Sequence, residues 1–83
     1  MSHTVYVLED RYDRIYIGQT KNLASRLKDH KLGRTKSLRN RGPFHIIYTE
    51  TLESRIKAVQ RERALKSGQG RTWLRSNIKR TGL

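Results

Sequence analysis

The sequence predicts an α/β (α+β) fold, a small three-stranded antiparallel sheet covered by helices in the order β-β-α-β-α-α. Two short runs of β-branched and aromatic residues sit close together near the start, and a third lies mid-chain. Stretches with apolar residues three or four apart follow them, and glycine, proline and polar clusters separate the segments. With 83 residues, the chain has room for one modest core, so residues 1–83 are expected to form one domain.

The elements follow in order. Val5-Tyr6-Val7-Leu8 reads as a mostly buried strand, Arg11 to Arg14 as a polar turn, and Ile15-Tyr16-Ile17 as a second strand ending at Gly18. Together they predict a hairpin whose turn is flanked by Glu9, Asp10 and Asp13. A helix is expected from Asn22 to His30. Its Leu23 and Leu27 can face the core, while Arg26 and His30 share a different face and Asp29 meets solvent. Gly33 to Gly42 forms a basic loop, Gly42-Pro43 ends it, and Phe44 to Thr49 is a third strand. Thr51 is the expected N-cap of a helix reaching Lys66, with Glu53 in the first turn, where the helix dipole favours an acid. Ser67-Gly68-Gln69-Gly70 breaks the chain, and a short helix from Arg71 to Lys79 packs Trp73, Leu74 and Ile78. A lone hairpin is marginal in water, so the third strand and the helical cover are needed to close the core.

Composition narrows the function. There is no cysteine, which excludes a disulfide and a Cys-ligated zinc site and fits a cytoplasmic location. Any metal must be held by carboxylate, hydroxyl, imidazole or substrate phosphate. No apolar run approaches the roughly 20 residues of a membrane span, and no secretory signal pattern opens the chain. Against 7 acids stand 19 Lys and Arg residues, a net charge of +12. Arg26, Lys28, Lys31, Arg34, Lys36, Arg39 and Arg41 crowd one stretch with Asp29 as its one acid, and Arg71, Arg75, Lys79 and Arg80 form a second group. Compacting that charge is costly unless a polyanion neutralises it. A solubilising surface or an anionic membrane are the competing readings. Abundant Arg, with its phosphate-matching fork, and the lack of a strong amphipathic membrane helix favour nucleic acid, DNA ahead of RNA.

Two features do not suit a plain core. On a helical wheel Glu62 falls among Val59, Ala58 and Leu65, in an apolar arc counted from Ile56. A carboxylate there costs desolvation energy unless a cation or a metal compensates, and a salt bridge to one of the many bases would serve equally. Tyr6 and Tyr16 would lie near one end of the sheet if their strands pair. Packing accounts for them, but buried hydroxyls need partners; in a cleft they could orient water or remove its proton, with Arg26 offsetting phosphate charge. Trp73 suits core packing better than a stacking platform, Gly68 and Gly70 suit a linker between helices, and His3 and His45 belong to no constellation.

Tyr6, the segment Tyr16-Ile17-Gly18-Gln19-Thr20-Lys21-Asn22-Leu23, Arg26, His30 and Glu62 together resemble the GIY-YIG nuclease domain, over nearly the whole chain. That family includes homing endonucleases, restriction enzymes, a repair incision subunit and small stand-alone bacterial proteins, which this chain matches best in size. The resemblance implies catalytic roles for Tyr6, Tyr16, Arg26, His30 and Glu62. Tyr6 corresponds to the tyrosine of the first signature triplet and Tyr16 to that of the second. Arg26 corresponds to the arginine that contacts the scissile phosphate, and His30 stands where relatives carry His or Tyr. Glu62 corresponds to the carboxylate that holds Mg²⁺ or Mn²⁺; Gly18, Gln19 and Asn77 would support the site. Two departures stand out: the first triplet is Val5-Tyr6-Val7, and Gln19 replaces a lysine found in some relatives.

The function implied is one-metal hydrolysis of DNA phosphodiesters by a hydrolase of DNA repair or processing, with Tyr6, helped by Tyr16 or His30, taking a proton from water. Lys28, Lys31, Arg34, Lys36, Arg39, Arg41 and Arg71 would contact phosphates without reading many bases. An additional targeting protein would then supply specificity. The alternative is a basic nucleic-acid-binding module that keeps the nuclease fold without cleavage. In that case Glu62 is an ion-pair or packing residue.

Overall fold

A computed structural model describes residues 2–34 and 42–78. The elements are β1 (His3–Glu9), β2 (Ile15–Thr20), α1 (Leu23–Lys31), β3 (His45–Leu52), α2 (Arg55–Lys66) and α3 (Gly68–Asn77). The sheet order is β2-β1-β3, and both pairings are antiparallel, so the fold class and element order are those the sequence predicts. The unbroken run Val5-Tyr6-Val7-Leu8 is explained by its place: β1 is the central strand, and these four residues are buried. Alternation along the strand then builds two cores. Val5, Val7 and Ile17 meet Ala58, Leu65 and Leu74 of the helical pair α2–α3. Tyr6 and Leu8 turn the other way and meet Tyr16, Leu23, Leu27 and Phe44. The sheet therefore lies between α1 on one side and α2–α3 on the other. Each buried Val or Leu contributes about 1.5–3 kcal/mol.

The hairpin turn rests on one carboxylate. Asp10 is buried and accepts from the backbone N–H of Tyr12 at 2.8 Å and of Arg14 at 3.0 Å, and from Arg14 Nε at 3.2 Å. Buried without those donors, it would be costly. Asp13 completes the turn at φ 62°, a left-handed conformation that Asp tolerates better than most residues.

Several boundaries differ from those expected, each for a local reason. β2 continues past Gly18 to Thr20, because Thr4 and Val5 still pair with Thr20 and Gln19. β3 likewise continues to Leu52, so Thr51 pairs with Thr4 and is not a helix cap. Ser54 caps α2 by accepting from Lys57 N at 3.2 Å, and Glu53, ahead of that cap, binds Lys57 Nζ at 2.7 Å. Gly68 and Gly70 are not a linker. They form the first turn of α3, and Ser67 serves both helices: its N–H bonds Ala64 O, and its Oγ accepts from Gly70 N at 3.1 Å. α3 ends at Asn77; Lys79 and Arg80 lie outside the described residues.

Trp73 is not in the core. It is 37% exposed, meets Tyr48 edge-on at 5.5 Å between centroids, and carries the Arg61 guanidinium 5.0 Å from its ring. Arg61 in turn pairs with Glu50 at 3.1 Å, and Glu50 accepts from the Tyr48 hydroxyl. This brace ties β3, α2 and α3 together, and the sequence reading did not anticipate Glu50 or Arg61.

The α2–α3 contact depends on a missing side chain. A Cβ on Gly70 would stand 2.1 Å from Ala64 O and 2.4 Å from Leu65 Cα, whereas a Cβ on Gly68 would meet nothing within 4 Å. Gly70→Ala is expected to lower unfolding free energy by about 2–3 kcal/mol. Gly68→Ala should change it by less than about 1 kcal/mol. Urea denaturation of both variants checks the contrast.

Candidate functional site

The register of the hairpin brings the tyrosines together. Tyr6 faces Gly18 across β1–β2, and Tyr16 faces Leu8, so both rings project to the α1 side. Gly18 is what makes room: a Cβ there would lie 2.6 Å from Tyr6 Oη. Asn22 starts α1 by accepting from Ser25 N at 3.0 Å. The helix then carries Arg26 and His30, one turn apart, over the tyrosines. Leu23 and Leu27 pack against the same cluster, and His30 is fully enclosed. The expected division between a core face and a separate Arg26–His30 face is therefore incomplete.

Three rings form a tight set. Tyr6 lies 6.2 Å from Tyr16 and 5.9 Å from His30 between centroids, and His30 meets Tyr16 edge-on at 5.4 Å. Tyr6 Oη and His30 Nε2 are hydrogen-bonded at 2.9 Å in a buried setting. Burial dominates the electrostatics. It pushes the Tyr6 phenol up to about 12, with the nearby Arg26 guanidinium opposing the rise through hydrogen bonding and charge. His30 is held below the usual imidazole range, first by burial and then by the charge of Arg26. Arg26 is held above its ordinary value, chiefly by its hydrogen bond to Tyr6. At neutral pH the cluster is thus a phenol, a neutral imidazole and one fixed cation. With Nδ1 carrying the imidazole proton the Tyr6 O–H donates to Nε2, and with Nε2 carrying it the ring donates to Tyr6 Oη. Burial thus keeps the Tyr6 phenol protonated at neutral pH.

Glu62 is carried by a different helix. It sits on α2, which covers the opposite sheet face, and pairs with Lys66 at 2.9 Å with its side chain 20% exposed. The buried stripe of α2 is Ala58 and Leu65, Ile56 at the far edge of the apolar arc is 71% exposed, and Glu62 lies partly buried on the flank of the stripe. The salt-bridge reading accounts for it. Among the described residues no group of three or more His, Cys, Asp or Glu could hold a metal ion.

The other expected site residues are scattered. Asn77 donates from Nδ2 to Trp73 O at 2.8 Å on exposed α3. Gln19 falls on the Ile17 side of β2 by alternation. Lys28, Lys31, Arg34 and Arg71 are exposed, and Arg34 pairs with Asp29 at 3.1 Å. Lys36, Arg39 and Arg41 lie outside the described residues. A cavity of about 360 Å³, bounded by His30, Lys31, Phe44 and His45, connects the aromatic cluster to the basic end of α1.

Comparison with known proteins agrees with this geometry. Residues 2–75 match the GIY-YIG catalytic domain family. A UPF0213 protein of Oceanobacillus iheyensis is 38% identical over 77% of this chain and 76% of its own length. A UPF0213 protein of Natronomonas pharaonis is 38% identical over 78% of each. The solution NMR structure of a UPF0213 protein from Bacillus halodurans superposes with a TM-score of 0.58 at 34% identity, covering 92% of this chain and 84% of that one. None of these three names states a reaction. The expected metal-dependent endonuclease, and with it a hydrolase of DNA repair or processing, is overturned: the similar proteins are UPF0213 members and not established nucleases, and the described residues offer no metal-holding cluster.

The depressed His30 gives a stability signature. Unfolded, His30 takes a proton near about pH 6.5; folded, it does so only at lower pH. Above that value the group adds no pH dependence, and below it the unfolded state binds the proton first, so stability falls as pH drops. Urea midpoints at about pH 7.5 and about pH 5.5 should differ in the parent, and His30→Gln should shrink the difference.

Proposed function

The chain belongs to the GIY-YIG family, and from that premise we propose that it acts as a basic nucleic-acid-binding module, retaining the nuclease fold without cleaving. The observation that carries this is the charge balance of the folded chain. Asp10, Asp29, Glu50, Glu53 and Glu62 are already paired with bases within the protein. The excess of 19 bases over 7 acids must then be neutralised from outside, and a phosphate backbone does so with release of its counterions. Lys28 and Lys31 on the exposed side of α1 would hold a duplex beside the Arg26–His30 face without reading its bases. Lys36, Arg39 and Arg41 would extend that contact. DNA is the favoured polyanion, its regular backbone being matched by a surface that offers charge and few base-reading groups. Mg²⁺ and Mn²⁺ enter this reading as competing counterions of the phosphates.

Fluorescence anisotropy with a short duplex across a salt series tests the proposal. Lys28→Gln/Lys31→Gln should weaken binding and flatten the slope of log K against log salt by about 1.8, near 0.9 per lost contact. Supercoiled DNA incubated with Mg²⁺ or Mn²⁺ should stay intact. Unchanged binding at every salt concentration would remove Lys28 and Lys31 from the interface. Metal-dependent nicking that disappears in Glu62→Ala would overturn the module.

A further inference from the structure

On the sheet face away from the tyrosines, a cleft of about 260 Å³ opens between the β1–β2 turn and α3. Its floor is apolar, made by Ile15, Ile47 and Leu74, and three guanidiniums, Arg14, Arg71 and Arg75, stand around it with Asp13 as the one acid. Arg14 is anchored through Nε to the buried Asp10 at 3.2 Å, which holds its position without an ordering cost on binding. Arg71 and Arg75 are one helical turn apart on α3, a like-charge spacing that costs a few tenths of a kcal/mol by itself. Among the described residues neither has a carboxylate partner. An apolar floor rimmed by one anchored guanidinium and two without a carboxylate partner among the described residues suits a ligand with a flat, weakly polar part and an anionic part. The volume suits a group of about one nucleotide and excludes a duplex, which presents a convex backbone and stacked, paired bases.

We infer that this cleft binds a single unpaired nucleotide of a nucleic-acid strand, its phosphate held by Arg71, Arg75 and Arg14 and its base or sugar laid on Ile15, Ile47 and Leu74. The inference rests on the proposed nucleic-acid function for the class of its ligand. It adds a second, separate contact that selects strand ends, gaps or single-stranded segments, while the α1 surface holds duplex.

The test is NMR of the full chain with labelled Ile and Leu methyls, titrated with a nucleoside 5′-monophosphate and with a short single-stranded oligonucleotide. Saturable shifts of Ile15, Ile47 and Leu74 with both ligands, abolished in Arg71→Gln/Arg75→Gln, are the expected result. The same variant should bind the oligonucleotide at least about tenfold more weakly, while duplex binding falls less. Inorganic phosphate should leave the floor methyls unshifted. Absence of methyl shifts in a protein that still binds duplex overturns the cleft and leaves the proposed function standing. Shifts with the mononucleotide but none with the oligonucleotide overturn the strand assignment in favour of a free nucleotide. A chain that binds no duplex but shows both shifts overturns the duplex reading alone.

Discussion

The hydrogen bond between Tyr6 Oη and His30 Nε2 joins the central strand to α1 in a buried setting. A polar pair in that position is stable only when each group satisfies the other, and losing one partner costs about 1–3 kcal/mol. Much of the chain's organisation serves this pairing. Gly18 leaves room for the Tyr6 ring, Asn22 sets where α1 begins, and Leu23 and Leu27 pack against the cluster. The same enclosure sets its chemistry: burial keeps Tyr6 protonated and His30 neutral at neutral pH, with Arg26 as the fixed charge beside them.

The sheet divides the molecule into two chemically different faces. On one, aromatic rings and α1 border a strongly basic surface; on the other, α2 and α3 cover an aliphatic core and leave an arginine-rimmed cleft at its end. The acids are used internally, at the hairpin turn, along α2 and in the Glu50–Arg61 brace. That distribution explains how a chain of net charge +12 closes its core and still offers cation to a partner on both sides.

Much of this was legible in the sequence. A run of four apolar residues announced a mostly buried strand, and the four-residue spacing of Arg26 and His30 put them on one face of their helix. Glu62 was legible as partly buried beside Ala58 and Leu65, but the apolar arc is narrower than the pattern suggested, because Ile56 faces solvent. Pattern alone does not reveal which side of a weakly amphipathic helix meets the sheet. Thr51 and the Gly68–Gly70 segment were misassigned for a related reason: continued pairing with Thr4 outweighs a capping preference, and Gly70 reports close helix contact, which no local rule distinguishes from a linker. Glu50 and Arg61 left no signal, since they are eleven residues apart and meet only through the fold. Lys28 and Lys31 were readable as surface charge but not as one side of a particular face.

The central claim is that the aromatic cluster is a closed structural joint and not a source of general base. Its most direct test is the ionisation of Tyr6, followed by the ¹³Cζ resonance of labelled tyrosine, in the free chain and with duplex DNA and Mg²⁺ present. The account predicts that Tyr6 remains a phenol through the alkaline range in both states, titrating at about 12. A Tyr6 that ionises near neutral pH once DNA and Mg²⁺ are bound would contradict it.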